Sequence, residues 1–161
     1  MAMTMLNIGI LALIAAFQSG AFALKRASKT STAAALADIT MERYRRQLYC
    51  AIKFDTAEAA TAAGDGTYNG DSAYSAGTPL TPANDPDSTC SSTAVPADSD
   101  PIQTLIGPDR HSYRVDTYIF MDAVPSGRAV KRVTVVIRDG TALGGVSLAR
   151  VASTFDKSTG S

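Results

Sequence analysis

The sequence predicts an α+β protein: a long amino-terminal helix, its apolar half protruding, packed against a carboxyl-terminal antiparallel β-sheet. Three observations carry this expectation. Residues 1–24 contain no charged side chain and no proline. Helix formers then continue to Lys53, with neither glycine nor proline between Gly20 and Gly64. From His111 onward, alternation of β-branched and polar residues replaces helical spacing. The expected segments are an apolar half-helix over 1–24, an amphipathic half-helix over 25–53, an irregular loop over 54–110 and a β-meander over 111–161.

The first segment has bulk on every side of a helix and no polar stripe. Leu6, Ile8, Ile10, Leu13 and Phe17 are interleaved with Gly9, Ala16 and Gly20. A helix of this length exposes on the order of 1,000 Å² of mostly apolar wall, whereas monomers rarely expose patches beyond about 300–600 Å². Lipid or neighbouring copies are expected to cover it. The small residues let helix backbones approach one another closely, which favours packing with a second helix. A cleaved signal peptide is the competing reading. The segment lacks a basic region before its apolar run, and Ala21-Phe22-Ala23 is its only weak cleavage site.

The second segment places Leu36, Tyr44, Leu48 and Ile52 at multiples of four. That is the stripe expected to face the sheet. Asp38 and Glu42 precede basic residues at helical spacings that support an exposed face.

Residues 54–110 are rich in Ala, Thr, Gly, Ser, Asp and Pro, the composition of irregular surface chain. The run from Asp65 to Asp71 resembles the start of a calcium loop, but Ala76 stands where a closing glutamate would be needed, so an Asx-rich turn is expected instead. Cys50 and Cys90 flank much of this loop. A disulfide between them would close about forty residues and contribute roughly 4 kcal/mol in the chain-entropy model. Two buried thiols in a reducing compartment are the alternative. The bond is favoured because the loop has little apolar content to hold it down. Lys25, Arg26 and Lys29 would by the positive-inside rule hold the carboxyl-terminal part of the chain in the cytoplasm; the cysteines argue for the outside, and that reading is preferred.

In the last segment Val133, Val135 and Ile137 alternate with Arg132, Thr134 and Arg138, as in a half-buried strand. Pro125-Ser126-Gly127, Asp139-Gly140 and Gly144-Gly145 read as turns between strands. These strands are expected to supply the sheet side of the core through Val133, Val135 and Ile137.

Catalytic patterns are missing from the sequence. His111 stands alone as a strand-start residue, and no nucleophile elbow, phosphate-binding loop or metal-spaced Cys/His cluster occurs. No enzyme activity, cofactor or metal is expected. Fifteen basic and fifteen acidic residues give zero net charge, so no global field favours nucleic acid. The signs are segregated, with basic residues on the helix and acidic ones after it, which suits head-to-tail attraction between copies.

Three stretches resemble the type IV pilin and prepilin-like family, minor pilins and pseudopilins included. Leu6-Asn7-Ile8-Gly9-Ile10-Leu11-Ala12-Leu13 is similar to the amino-terminal helix of minor pilins. Ala34 to Tyr49 is similar to the helix continuation, and Val130 to Ile137 to a family strand. The family's glycine followed by Phe-Thr-Leu-x-Glu is not among residues 1–161; in the register set by Ile8-Gly9, that glutamate is expected upstream of Met1. The helix-kinking proline of many pilins is also missing.

The resemblance implies a subunit of a type IV pilus or related extracellular filament at the cell surface, held in the inner or cytoplasmic membrane before assembly. Its implied partners are copies of itself in a helical homopolymer and the pilus assembly machinery. Leu6, Ile8, Gly9, Ile10, Leu13, Ala16, Phe17 and Gly20 would form the filament core. The alternatives are a low-abundance minor pilin, a type II secretion pseudopilin, or a single-span anchored extracytoplasmic binding or sensor protein.

Overall fold

The computed structural model describes residues 2–74, 78–90, 92–122, 130–140 and 145–157, with the side chains of 2–9 and 12 outside that description. Helix α1 runs from Ala2 to Arg45, 44 residues, or about 66 Å at the usual rise. No proline interrupts it. Arg43 and Arg45 lie in its last turn, where the helix dipole favours cations.

The helix stops eight residues short of the expected end at Lys53. Arg46 N–H bonds both Glu42 O and Arg43 O, tightening the final turn. Leu48 is already extended, at φ −62° and ψ 143°, and a single 3₁₀ turn follows over Tyr49–Ala51. Beyond this turn the chain is tied to a distant loop: Cys50 is bonded to Cys90, and the Lys53 ammonium donates to the Cys90 carbonyl at 2.7 Å.

Early termination corrects the expected stripe. Leu48 is 60% exposed, whereas Ile52, beyond the helix, is fully buried. The stripe that meets the sheet is Ala33, Ala37, Met41 and Tyr44, with Leu36 at its margin. Spacings of four, four and three keep these residues on one face. The two alanines let the helix axis approach the strands.

Four strands form one antiparallel sheet in the order β1-β2-β3-β4. They are β1 (Ile102–Ile106), β2 (Ser112–Asp122), β3 (Val130–Asp139) and β4 (Ser147–Phe155). Strand β1 lies inside the segment expected to be loop, so the meander starts earlier than His111. Val133, Val135 and Ile137 pair with Ile119, Thr117 and Val115. They project towards α1 and are fully buried against its stripe. Pro125-Ser126-Gly127 and Gly144 lie outside the described residues.

The segment 54–110 is not irregular throughout. Helix α2 (Thr56–Ala63) is N-capped by Asp55, which accepts from Ala57 N–H. Helix α3 (Gly66–Asn69) is N-capped by Asp65, which accepts from Thr67 and Tyr68 N–H. These short helices cover the other face of the sheet: Ala62 and Tyr68 pack on Tyr118, Phe120 and Val136. The Tyr68 and Tyr118 rings stack with centroids 4.3 Å apart. Their hydroxyls donate to Thr117 O and Tyr68 O at 2.6 and 3.1 Å. Strand β3 is therefore buried on both sides from Val133 to Arg138, rather than half-buried as its alternation predicts.

Candidate assembly interface

The amino-terminal half of α1 makes no use of the sheet. Every described side chain from Ile10 to Ser28 is exposed, including Ile10, Leu13, Ala16, Phe17 and Gly20. Phe17 reaches 78% exposure. Leu6, Ile8 and Gly9 belong to the helix, but their side chains lie outside the described residues. Leu13, Ala16, Phe17, Gly20, Ala21 and Leu24 enclose a shallow apolar furrow of about 480 Å³ on the side of the helix. Among the described residues no helix is long and apolar enough to cross a membrane.

Gly20 has no internal explanation. A Cβ built there meets nothing within 4 Å, yet glycine inside a helix costs about 1 kcal/mol relative to alanine. Within a single copy, that cost is offset by nothing.

The helix is fastened to the sheet where the exposed half ends. Lys29 Nζ donates to Asp139 Oδ2 at 2.9 Å, and His111 Nε2 lies 2.8 Å from the other oxygen of the same carboxylate. The Tyr113 hydroxyl donates to Asp109 at 2.7 Å. Burial, reinforced by that carboxylate, pushes the Tyr113 hydroxyl up to about 12. His111 is thus a half-buried partner of Asp139, where its place before β2 predicts a surface or turn residue.

At the other end of α1 the exposed face carries Asp38, Ile39 and Glu42. They border a recess of about 650 Å³ completed by Arg43, Arg46, Gln47, Pro96 and Asp98. Glu42 holds Arg45 one turn on, and Asp98 sits 3.5 Å from Arg43.

Three features support this frame, and sequence reasoning finds only the first. The expected Cys50–Cys90 bond is present. Above it, Lys131 Nζ pairs with Asp85 at 3.0 Å and donates to Tyr49 O at 3.1 Å; burial lowers the Lys131 pKa despite that carboxylate. On the opposite face, three arginines and three aspartates interlock. Arg114 binds Asp65 and Asp116, Arg138 binds Asp116 and Asp71, and Arg150 binds Asp71. The hydrogen bonds from Arg114 draw the Asp65 carboxyl down to about 2. The Asx motif of the sequence is therefore an anchor: Asp65 caps α3 and ties it to β2, and Asp71 caps its own turn at Ala73 N–H while holding β3 and β4.

The described residues thus form a folded head from which the exposed amino-terminal half of α1, the handle, extends. Comparison of the chain with protein-family models, curated proteins and solved structures finds no match.

Proposed function

We propose that this chain is a structural subunit of a type IV pilus or related extracellular filament, assembling through the amino-terminal half of α1. One observation carries the reading: an exposed apolar helix half, with a furrow and an unexplained glycine, attached to a head whose own core is complete. Water is a poor host for that surface, and a bundle of sister helices is a good one. The three sequence stretches similar to prepilins, together with the α+β architecture, support the same assignment.

In this role the head forms the outer surface of the fibre and the handles form its centre. Before assembly the handle rests in the cytoplasmic membrane, from which assembly machinery draws it into the fibre. A low-abundance minor pilin or a secretion pseudopilin uses the same interface and differs in amount. The disulfide and the buried ion pairs suit a head that works outside the cell, where oxidised cysteines persist.

Electron microscopy of fibres sheared from cells expressing the full chain, with peptide identification, tests the proposal. Fibres containing this chain are expected. Fibres without it, or a full-length chain that stays dispersed and monomeric in plain buffer, overturn it.

A further inference from the structure

We infer that the end of the head from which the handle leaves is a lipid-contacting surface: Arg26 and Arg110 meet anionic headgroups, and Ile106 and Val146 are set against the membrane. The inference rests on the filament reading, in which a membrane holds the handle before assembly. It adds where the head meets that membrane and with which class of lipid.

Strand pairing fixes which residues share this end. Ile106 lies opposite Ser112, and Tyr113 opposite Asp139. Arg138 lies opposite Ser147, so the ends of β1 and β3 and the starts of β2 and β4 form one row. Two contacts place that row at the base of the handle. Lys29 binds Asp139 at 2.9 Å, and a Cβ on Gly107 would lie 2.9 Å from Thr32 Cγ2. Lys131, which reaches Tyr49, marks the opposite end of the sheet.

The row carries apolar side chains that the fold does not cover. Beyond residue 50, the exposed large hydrophobic side chains among the described residues are Ile106 and Val146, each 77% exposed. Both lie at this end, on opposite edges of the sheet, about 14 Å apart at the usual strand spacing. With the handle they give three points of support, enough to seat the head on a plane. An embedded handle turns this end, and no other, towards the bilayer.

Charge says what that plane is made of. Arg110 occupies the β1–β2 turn at φ 58°, in the left-handed region that favours glycine. It is exposed and, among the described residues, makes no ion pair. Arg26 stands seven residues before Ala33, two turns back on the sheet side of α1, and is also exposed. The nearby acids are already engaged. Asp139 holds Lys29 and His111, and Asp109 accepts from the Tyr113 hydroxyl and the His111 N–H. Cations beside exposed apolar side chains, where an uncharged helix segment ends, fit the layer between hydrocarbon and water. From Leu24 to Lys29 is about 7.5 Å along the helix, comparable to the roughly 5–8 Å depth of each headgroup layer.

The chain contains no tryptophan, so a single introduced one reports its own surroundings. Ile106→Trp and Val146→Trp are made in the full chain and reconstituted into vesicles containing phosphatidylglycerol. Their emission is expected to shift to the blue and to be quenched by lipids brominated at the top of the acyl chain. Leu48→Trp, at the opposite end of the head, is expected to stay unquenched, while Phe22→Trp reports that the handle is embedded. Arg110→Gly suits the local backbone, so the head stays folded. It is expected to weaken the contact about fivefold, the loss of one cation at an anionic surface, and vesicles of phosphatidylcholine alone weaken it further. A quenched Phe22→Trp with unquenched Ile106→Trp and Val146→Trp overturns the contact and leaves the filament reading standing. Equal quenching in neutral and anionic vesicles overturns the assignment to anionic lipid. A blue shift that appears without vesicles as concentration rises assigns this end to a second copy and overturns the inference. An unquenched Phe22→Trp removes the membrane stage of the filament reading, and this contact with it.

Discussion

Lys131 and Asp85 face each other 3.0 Å apart with both side chains fully buried. The ammonium also reaches Tyr49 O and lies 4.5 Å from the Tyr49 ring centroid. One cation thus gathers β3, the 3₁₀ turn after α1 and the loop before Cys90. Asp85→Ala strands that cation in a dry site and is expected to cost about 3–5 kcal/mol. Lys131→Met with Asp85→Leu removes both charges and recovers most of the loss. Chemical denaturation of the parent, the single and the double variant measures this; equal losses in single and double would refute the pairing argument.

Acid weakens the α3–β2 clamp. The Asp65 carboxyl is lowered from 3.8 to about 2, first by the hydrogen bonds of Arg114 and then by the Tyr68 and Thr67 N–H groups. At Asp71 burial alone would raise the carboxyl, but the Ala73 N–H and Arg150 outweigh it and the net direction is down. Folded carboxyls with lowered pKa bind fewer protons than unfolded ones, so their contribution is complete above the unfolded value and fades as pH falls through the folded one. The melting temperature is expected to hold steady above about pH 5 and to decline between about pH 4 and 2. Asp65→Asn, which keeps a capping oxygen but loses the charge, lowers the plateau and flattens part of that decline. Thermal melts across this range read it; an unchanged acid slope in the variant would exclude Asp65 as a source.

Reduction loosens the far end of the head. The Cys50–Cys90 bond spans 40 residues, and the chain-entropy model assigns such a loop roughly 4 kcal/mol. Cys50→Ser with Cys90→Ser is expected to lower stability by about that amount. Amide exchange should rise first at Ile52, Lys53 and Leu80, around the bond, and last in β2 and β3. Uniform exchange across the sheet would show that the bond acts only on the unfolded chain.

Two glycines should respond in opposite ways. A Cβ on Gly107 meets Tyr113 Cε2 at 2.7 Å and Thr32 Cγ2 at 2.9 Å, wedging α1 off the β1–β2 turn. Gly107→Ala is expected to cost about 1–3 kcal/mol. Gly20 meets nothing, so Gly20→Leu keeps or raises the helical circular dichroism while fibre yield falls. A fibre yield equal to the parent's in the Gly20→Leu variant would place the packing seam on another face of α1.

The amino-terminal helix and the three carboxyl-terminal strands were legible because each follows a local period. Val133, Val135 and Ile137 alternate, and residues 21–45 contain neither glycine nor proline. Leu48 misled for the same reason: with Ile52 it extends the spacing of Leu36 and Tyr44, but the helix ends at Arg45, Leu48 turns to solvent and Ile52 enters the core from beyond the helix. Periodicity does not register a covalent link to a residue forty positions away. In the middle segment the cues were there but small. Asp55 and Asp65 are N-caps, and the side chains that α2 and α3 bury are only Ala59, Ala62 and Tyr68. A five-residue strand, Ile102–Ile106, is set between Pro101 and Gly107, too brief to stand out in that company. The arginine–aspartate lattice was out of reach altogether, because Arg114, Arg138 and Arg150 become neighbours of Asp65 and Asp71 only once β2, β3 and β4 align.

The placement of the disulfide has a mechanical side. Cys50 lies just beyond the end of α1, and its partner Cys90 also takes the Lys53 ammonium on its carbonyl. A pull along the handle that outlasts the packing of Met41 and Tyr44 does not go on to unzip the protein. It arrives at a covalent rivet, and all the chain beyond Cys90, the whole sheet included, stays moored to the base of the handle.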